Sequence, residues 1–107
     1  MIDGVATLIS QQFSKDEIGQ FIANESRTEV YVSESNITRA EFYNAGRQGL
    51  NPEIVLITPI VNYDGQRIVE YRGRRFGVYR TFTNNEDIEL YLTDKGGIDG
   101  TQENEGS

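Results

Sequence analysis

The sequence predicts a mainly β protein, a small antiparallel β-barrel or rolled sheet of about six strands with one short inserted helix near residues 38–48. Three observations support this fold class. Short runs that alternate apolar and polar residues follow one another along the chain, separated by turn residues. A helical pattern occurs once. No strand–helix–strand repeat is present, so a parallel sheet is not expected.

The clearest strands lie between residues 66 and 94. Residues 68–71 form a short strand, and Gly73 supplies the positive φ that a two-residue hairpin loop needs before the next strand. That strand alternates, and its first predicted face holds Phe76, Val78, Arg80 and Phe82. Residues 84–87 form a polar turn, because Asn tolerates left-handed conformations. The last strand has one apolar face, which holds Ile88, Leu90 and Leu92. The segment is therefore expected to form a β-meander.

The first third of the chain predicts further strands around a polar turn. Residues 5–13 form one strand, residues 14–17 a charged turn, and residues 18–22 a short strand or bulge. Residues 27–32 alternate well, and one face of that strand holds Thr28, Val30 and Val32. The other face is expected to hold Glu29 and Tyr31.

One helix is predicted between these strands and the meander. Thr38 fits an N-cap, and Glu41 three residues later is expected to reach back to the Thr38 amide as a capping box. Gly46 and Gly49 are candidate C-terminal stops. A helix this short has little stability by itself. We therefore expect its Phe42 side to dock on the sheet or on a partner.

The remaining segments are an apolar run and a polar tail. Pro59 interrupts residues 52–63, and because proline cannot donate to a strand ladder, this strand is expected to be an edge or to bend at Pro59. Asp64 and Gly65 predict a tight turn. Residues 1–95 are expected to form a single domain, and residues 96–107, with three acids and no base, a flexible acidic tail.

Composition limits the possible functions. The chain has 107 residues, no Cys and no His, so a disulfide framework, a thiolate metal site and histidine catalysis are all excluded. No apolar run is long enough to span a bilayer, and no signal peptide is recognisable, so we expect a soluble protein made inside the cell. A net charge of −7 argues against nucleic-acid binding over the whole surface.

No residues are proposed as catalytic, cofactor-binding or metal-binding. Ser and Thr have little activation without a neighbouring base. The carboxylate pairs Asp16/Glu17 and Glu86/Asp87 lie in polar turns, where solvation keeps them ionised. The sequons at Asn24 and Asn36 are interpreted as chance matches, because no secretory route is indicated. An enzyme is therefore not expected.

An arginine cluster is the strongest local charge feature. Five arginines lie between residues 67 and 80 against one acid, Glu70. Three interpretations stay open: a solvated hairpin tip that prevents edge aggregation, contact with phosphates beside stacking aromatics, or ion pairs with a neighbouring subunit. The four tyrosines of the predicted sheet are expected near one another on its polar face, and these are Tyr31, Tyr71, Tyr79 and Tyr91.

Two blocks of the sequence resemble the small head–tail connector proteins of tailed bacteriophages. The first block comprises residues 35–38, 41–46 and 49–50, and the second comprises residues 68–81 and 88–92. The resemblance is to the head-closure or stopper subgroup and covers roughly residues 5–98. The matching motifs are structural rather than catalytic.

The resemblance implies a β-barrel subunit of a virion neck, assembled in the bacterial cytoplasm into a homo-oligomeric, dodecameric ring. Such a ring closes the DNA exit channel of the filled head, binds a portal-side adaptor and a tail-side protein, and has packaged DNA nearby without reading its sequence. The corresponding gating segment contains Ser35, Asn36, Ile37, Thr38, Glu41, Phe42, Tyr43, Arg47 and Asn51. We place the subunit or partner interface at Arg72, Arg74, Arg75, Tyr79 and Arg80.

Two alternatives stay open. Another neck component, such as a tail-completion or adaptor protein, would share the barrel and differ in its position along the neck. A nucleic-acid-binding module of the OB or SH3 type has a similar size and strand content. No cofactor and no membrane contact are expected under any of these interpretations.

Overall fold

A computed structural model describes residues 4–94 of the chain. These residues form six β-strands, one α-helix and one short 3-10 helix. The strands are β1 (Gly4–Lys15), β2 (Phe21–Ser35), β3 (Pro52–Pro59), β4 (Ile68–Tyr71), β5 (Arg74–Asn84) and β6 (Asp87–Asp94). The α-helix α1 (Arg39–Gly46) lies between β2 and β3, and the 3-10 helix (Ile60–Asn62) follows β3.

The strands form a closed antiparallel barrel in the order β1-β2-β3-β6-β5-β4. The barrel closes where the start of β1 pairs with β4, from Ala6 opposite Tyr71 to Ile9 opposite Ile68. This confirms the predicted fold class, because the sheet is antiparallel and carries one short helix between two of its strands. Where a strand belongs to the barrel wall, it buries one face in the barrel interior.

The core fills the barrel interior with alternate residues of every strand. β6 contributes Ile88, Leu90 and Leu92 as predicted, and β2 contributes Val30 and Val32. The other members of this buried cluster are Ala6, Leu8, Leu56, Val69, Tyr71, Phe76 and Val78. Burial of this apolar set is the main force that holds the barrel together, since each fully buried large side chain contributes about 1.5–3 kcal/mol.

Two hairpin turns match the sequence prediction. In the β4–β5 turn, Arg72 and Gly73 both have positive φ, 54° and 78°, between the paired residues Tyr71 and Arg74. This is the pattern of a two-residue turn of type I′. In the β5–β6 turn, Asn85 has a φ of 60°, as expected for a residue type that tolerates the left-handed region.

The predicted face of β5 is wrong beyond Val78. The pairing with β6 shifts between Val78 and Arg80, so that Tyr79 is an extra residue in β5. A bulge of this kind reverses which side chains point inward. As a result Arg80 and Phe82 do not share the buried face of Val78, and Phe82 is exposed.

The first two strands are longer than predicted. Residues 18–22 and 27–32 do not form separate strands, because β2 runs without interruption from Phe21 to Ser35 and pairs with β1 along its whole length. Only the end of this hairpin that contains residues 6–9 of β1 joins the barrel wall. Residues 10–26 extend beyond it as a two-stranded projection, which we call the arm. The alternation of apolar and polar residues does not predict this continuous strand, because both faces of the arm are exposed and neither requires apolar residues.

β3 is not an edge strand. It pairs with β6 along most of its length and with β2 at residues 55–57. The strand ends at Pro59, and the chain enters the 3-10 helix there. The Ile60 amide donates to the Glu86 carbonyl, so the segment after the proline turns toward the β5–β6 hairpin. The predicted acidic tail, residues 96–107, lies outside the described residues. No helix among the described residues is long and apolar enough to cross a membrane.

Candidate functional site

The predicted gating segment and the predicted interface meet at Glu41. The Tyr79 hydroxyl donates to Glu41 Oε2 over 2.6 Å. The Arg80 guanidinium donates to both carboxylate oxygens, from Nη2 to Oε1 over 2.6 Å and from Nε to Oε2 over 3.1 Å. Helix α1 is therefore fixed to the outer side of β5 by a three-bond polar cluster, which we call the Glu41 clamp.

The helix start explains why Glu41 is available for the clamp. Thr38 caps the helix as predicted, and its hydroxyl accepts a hydrogen bond from the Glu41 amide over 3.1 Å. The other half of the predicted capping box is absent, because the Glu41 carboxylate faces β5 instead of the Thr38 amide. A guanidinium offers the carboxylate two charged donors, which bind it more strongly than one neutral amide.

The β5 bulge positions the partners of Glu41. The extra residue places Tyr79 and Arg80 together beside Tyr91 of β6. The Tyr79 and Tyr91 rings meet edge to face with centroids 6.2 Å apart. The Arg80 guanidinium lies 3.9 Å from the centroid of the Tyr91 ring, within the range of a cation–π interaction. This stacking fixes the guanidinium in the orientation that binds Glu41.

Electrostatics favour the charged form of Glu41 and the neutral form of Tyr79. The hydrogen bond from Arg80 holds the pKa of the Glu41 carboxyl below its usual value, against the opposing effect of burial. The side chain of Glu41 is only 12% exposed. Burial, followed by the Glu41 carboxylate, raises the pKa of the Tyr79 hydroxyl. At neutral pH the Glu41 carboxylate therefore accepts hydrogen bonds from the Arg80 guanidinium and from the neutral Tyr79 hydroxyl.

Apart from the clamp, α1 has little attachment to the barrel. Ala45 is its only buried residue, and Phe42 is 55% exposed. Of the two predicted docking surfaces for Phe42, the sheet is therefore not the one used, because only Ala45, one turn along the helix, is buried; docking of Phe42 on a partner stays a prediction. The segment is fixed again after the helix, where the Thr93 hydroxyl donates to the Asn51 carbonyl over 2.9 Å.

The outward face of α1 combines aromatic and basic side chains. Arg39, Tyr43 and Arg47 follow one another at intervals of four residues, which places them on one stripe of the helix. Phe42 lies beside this stripe, and Tyr43 is 68% exposed. Within the described part of the chain, neither Arg39 nor Arg47 forms an ion pair. We call these four residues the aromatic–arginine face.

The other predicted interface arginines are paired within the chain. Arg72 Nη2 lies 2.8 Å from Glu34 Oε2, and Glu34 also accepts from the hydroxyl of Tyr71. Arg74 lies 3.6 Å from Glu53 and stacks on Phe76 with 4.8 Å between guanidinium and ring centroid. These contacts lie around a small cleft of 180 Å³.

Arg75 belongs to a second ionic group, formed with residues of β2 and β4. It donates to Glu70 over 2.9 Å, and Glu70 is shared with Arg27 of β2 at 3.0 Å. Glu25 lies within 3.8 Å of Arg75. This network joins β2 to the β4–β5 hairpin although β2 and β4 are not neighbours in the barrel.

The tyrosines do not form the single group that was predicted. Tyr79 and Tyr91 are neighbours. Tyr71 belongs to the core, where it is 3% exposed, and Tyr31 is 64% exposed. We expected Tyr71 on the polar face of the sheet. It is buried instead, because alternate side chains of β4 point into the barrel interior and Tyr71 occupies one of these positions.

Sequence reasoning missed Glu34, Glu53 and Glu70 as the partners of the arginines. Glu41 lies 39 residues from Arg80, and Glu70 lies 43 residues from Arg27. No local spacing links such pairs, so only the barrel topology reveals them. Among the described residues, no group of acidic side chains is arranged to hold a metal ion. The site offers charged hydrogen bonding and a weakly attached helix.

No protein-family model matches this sequence, and no curated protein matches it either.

Proposed function

We propose that this chain is a structural virion protein of a tailed bacteriophage neck. It forms a ring that closes the DNA exit channel of the filled head and provides the docking surface for the tail. The barrel fold and the helix in the predicted gating segment support this proposal. The chemistry of the site supports it too, since the site consists of ion pairs and exposed aromatics that suit binding between proteins.

The observation that carries the proposal is the attachment of α1. A gate has to be ordered in one state and movable in another, and a small energy difference between states makes this possible. The helix has eight residues and buries only Ala45, so most of its attachment energy resides in the Glu41 clamp. A helix of this length has little stability alone, and breaking one polar cluster would release the helix from β5.

The aromatic–arginine face gives this segment a surface for DNA. Arg39 and Arg47 are exposed cations without ion pairs among the described residues, so phosphates meet no competing carboxylate. Tyr43 and Phe42 are largely exposed and provide stacking surfaces beside them. In a ring, this face is repeated around the channel, and each copy adds a few phosphate contacts that retain the DNA end.

The test is deletion of the gene from its phage. Heads purified from the deletion strain are expected to package DNA and then lose it, and adding the purified chain is expected to restore DNA retention and tail joining. Heads that retain DNA and lack only tails would place the protein among tail-completion or adaptor proteins. Infectious particles from the deletion strain would exclude a role in the neck.

A matched pair of substitutions tests the role of α1 in the same particles. Replacing both Arg39 and Arg47 by Gln removes the cations of the helix face and is expected to increase DNA leakage while tails still attach. Arg67→Gln is the control, because Arg67 is also exposed and lies outside the helix. Equal leakage in the control and the double variant would contradict the assignment of the gate to α1.

A nucleic-acid-binding module is the second candidate, and the aromatic–arginine face is the observation that favours it. This function predicts binding of single-stranded DNA by the purified chain with an affinity that falls steeply with salt. The Arg39/Arg47 double variant would lose that binding. No measurable binding at low salt would exclude this candidate and leave the neck protein.

A further inference from the structure

The arm has open edges on both of its strands. β1 pairs with β4 only over residues 6–9, and β2 pairs with β3 only over residues 33–35. Within residues 4–94, no other strand pairs with the outer edge of residues 10–15 or of residues 21–29. The arm is therefore a two-stranded ribbon whose outer backbone groups are available for additional strand pairing.

The arm also exposes large apolar side chains. Phe13, Ile18 and Phe21 are 66%, 78% and 73% exposed. Phe13 pairs with Ala23, and Phe21 pairs with Lys15, so Phe13 and Phe21 occupy the same face of the ribbon. A two-stranded hairpin is only marginally stable in water. An arm of this length with an apolar face is stabilised when another surface covers it.

The charges of the two edges are complementary. The open part of β1 carries Lys15 and no acid. On residues 21–29 of β2, Glu25 and Arg27 are already paired within the chain, and Glu29 is the charge without an ion pair among the described residues. Opposite charges across paired strands are favourable, and like charges directly opposite each other are unfavourable. Pairing a β1 edge with a β2 edge is therefore favoured over pairing two β1 edges or two β2 edges.

We propose that the arm is the site of subunit association, and that its partner is a second copy of this chain. The edge of residues 10–15 in one copy adds to the edge of residues 21–29 in the next. This contact joins two different surfaces, so it is heterologous and generates a ring when the rotation closes. In a ring all arms point the same way, so each β1 runs antiparallel to the neighbouring β2.

This inference deepens the proposed function by naming the surface that forms the ring. It also replaces the arginines as the main contact between copies. Arg72, Arg74, Arg75 and Arg80 each bind a carboxylate of their own chain, whereas the arm edges have no partner strand in the described chain. Strand addition between arms needs only purified protein, so its failure is distinguishable from failure of the neck function, which is tested in particles.

Single-cysteine variants test which edges meet, and the natural chain has no cysteine to interfere. Ser14→Cys marks the β1 edge and Asn24→Cys marks the β2 edge, and both positions are exposed. With a short bifunctional maleimide, a mixture of the two full-length variants is expected to give several-fold more cross-linked dimer than either variant alone. Equal yields in all three samples, or no cross-linking at high concentration, would overturn the proposal.

A shortened arm tests whether association depends on it. Residues 12–24 are replaced by Asn-Gly, because Gln11 and Glu25 are paired neighbours and a two-residue turn can join them. The variant is expected to stay monomeric at protein concentrations at which the full chain associates, while circular dichroism still shows a folded barrel. Val61→Ser is the control, since Val61 is 87% exposed outside the arm. Loss of association in the control, or normal association of the shortened chain, would contradict the inference.

Discussion

The Tyr79 hydroxyl donates a hydrogen bond to the Glu41 carboxylate over 2.6 Å, and this bond connects the bulge of β5 to helix α1. The two residues come from segments that the sequence suggests for different roles, one for gating and one for an interface. Their contact means that a change at the β5 surface is transmitted directly to the helix. A partner that binds Arg80 or Tyr79 would compete for the bonds that hold α1 in place.

Removal of the Glu41 carboxylate should release the helix. Glu41→Ala breaks the bonds to Tyr79 and Arg80, and hydrogen bonds to charged groups contribute about 1.5–3 kcal/mol each in favourable cases. Because α1 has only Ala45 as a buried anchor, we expect faster amide exchange in residues 39–46 with little change in the barrel. Hydrogen exchange followed by NMR measures both regions separately.

Glu29→Ala is the control for this experiment, because Glu29 is also an acidic residue but is exposed and forms no ion pair among the described residues. It should leave exchange in α1 unchanged. If Glu41→Ala left exchange in the helix as slow as in the unchanged protein, the clamp would not be what holds α1.

Acidification should have the same effect as removing the carboxylate. The hydrogen bond from Arg80 lowers the pKa of Glu41 in the folded protein below its usual value of 4.5. The contribution of this group to stability is therefore complete above pH 4.5 and is lost as the pH falls through the lower, folded-state pKa. The ring signals of Tyr79 in NMR spectra should report helix release in this range. In Glu41→Gln this component of the pH dependence should disappear, and its persistence would assign the transition to another carboxyl group.

Two glycines provide a matched test of backbone conformation. Gly73 has a φ of 78°, whereas Gly46 has no positive φ, and a Cβ at either position meets no atom within 4 Å. Gly73→Ala should lower the free energy of unfolding by about 1 kcal/mol, because alanine is strained in the left-handed region. Gly46→Ala should be neutral or stabilise by up to about 1 kcal/mol, because alanine favours the helix. Denaturant unfolding measures both, and equal effects would contradict the assigned turn geometry.

Charge reversal should separate the roles of Arg74 and Arg75. The Arg75 side chain is 30% exposed and binds Glu70, whereas that of Arg74 is 56% exposed and lies 3.6 Å from Glu53. Arg75→Glu should lower the free energy of unfolding by about 1–3 kcal/mol, because it places a third carboxylate in an ionic group. Arg74→Glu should lower this free energy by about 1 kcal/mol or less, because the Arg74 side chain is more exposed and its ion pair with Glu53 is longer.

Any loss of assembly or infectivity in Arg74→Glu would then report a contact with a subunit or connector partner. If reversing both arginines left assembly and infectivity unchanged, neither residue would belong to an interface. The stability measurement on the same variants separates a lost contact from a destabilised fold.

The sequence determined most of the barrel. Alternation placed Leu90 and Leu92 in the core, because a strand with one buried face has a period of two residues. The turns at Gly73 and Asn85 follow from residue types that tolerate positive φ. The cap at Thr38 follows from side-chain chemistry within one helical turn. Each of these features depends on interactions between residues that are close together in the chain.

Features that depend on residues far apart in the chain follow from the tertiary structure instead. The bulge at Tyr79 reversed the expected face of β5, since a single extra residue changes every later side chain and only the register against β6 reveals it. The carboxylate partner of Arg80 lies on a helix 39 residues away, and no spacing in the sequence points to it. Ion pairs act through space and do not depend on sequence separation. The sequence therefore established which charges the chain carries, and the closed barrel decided which of them meet.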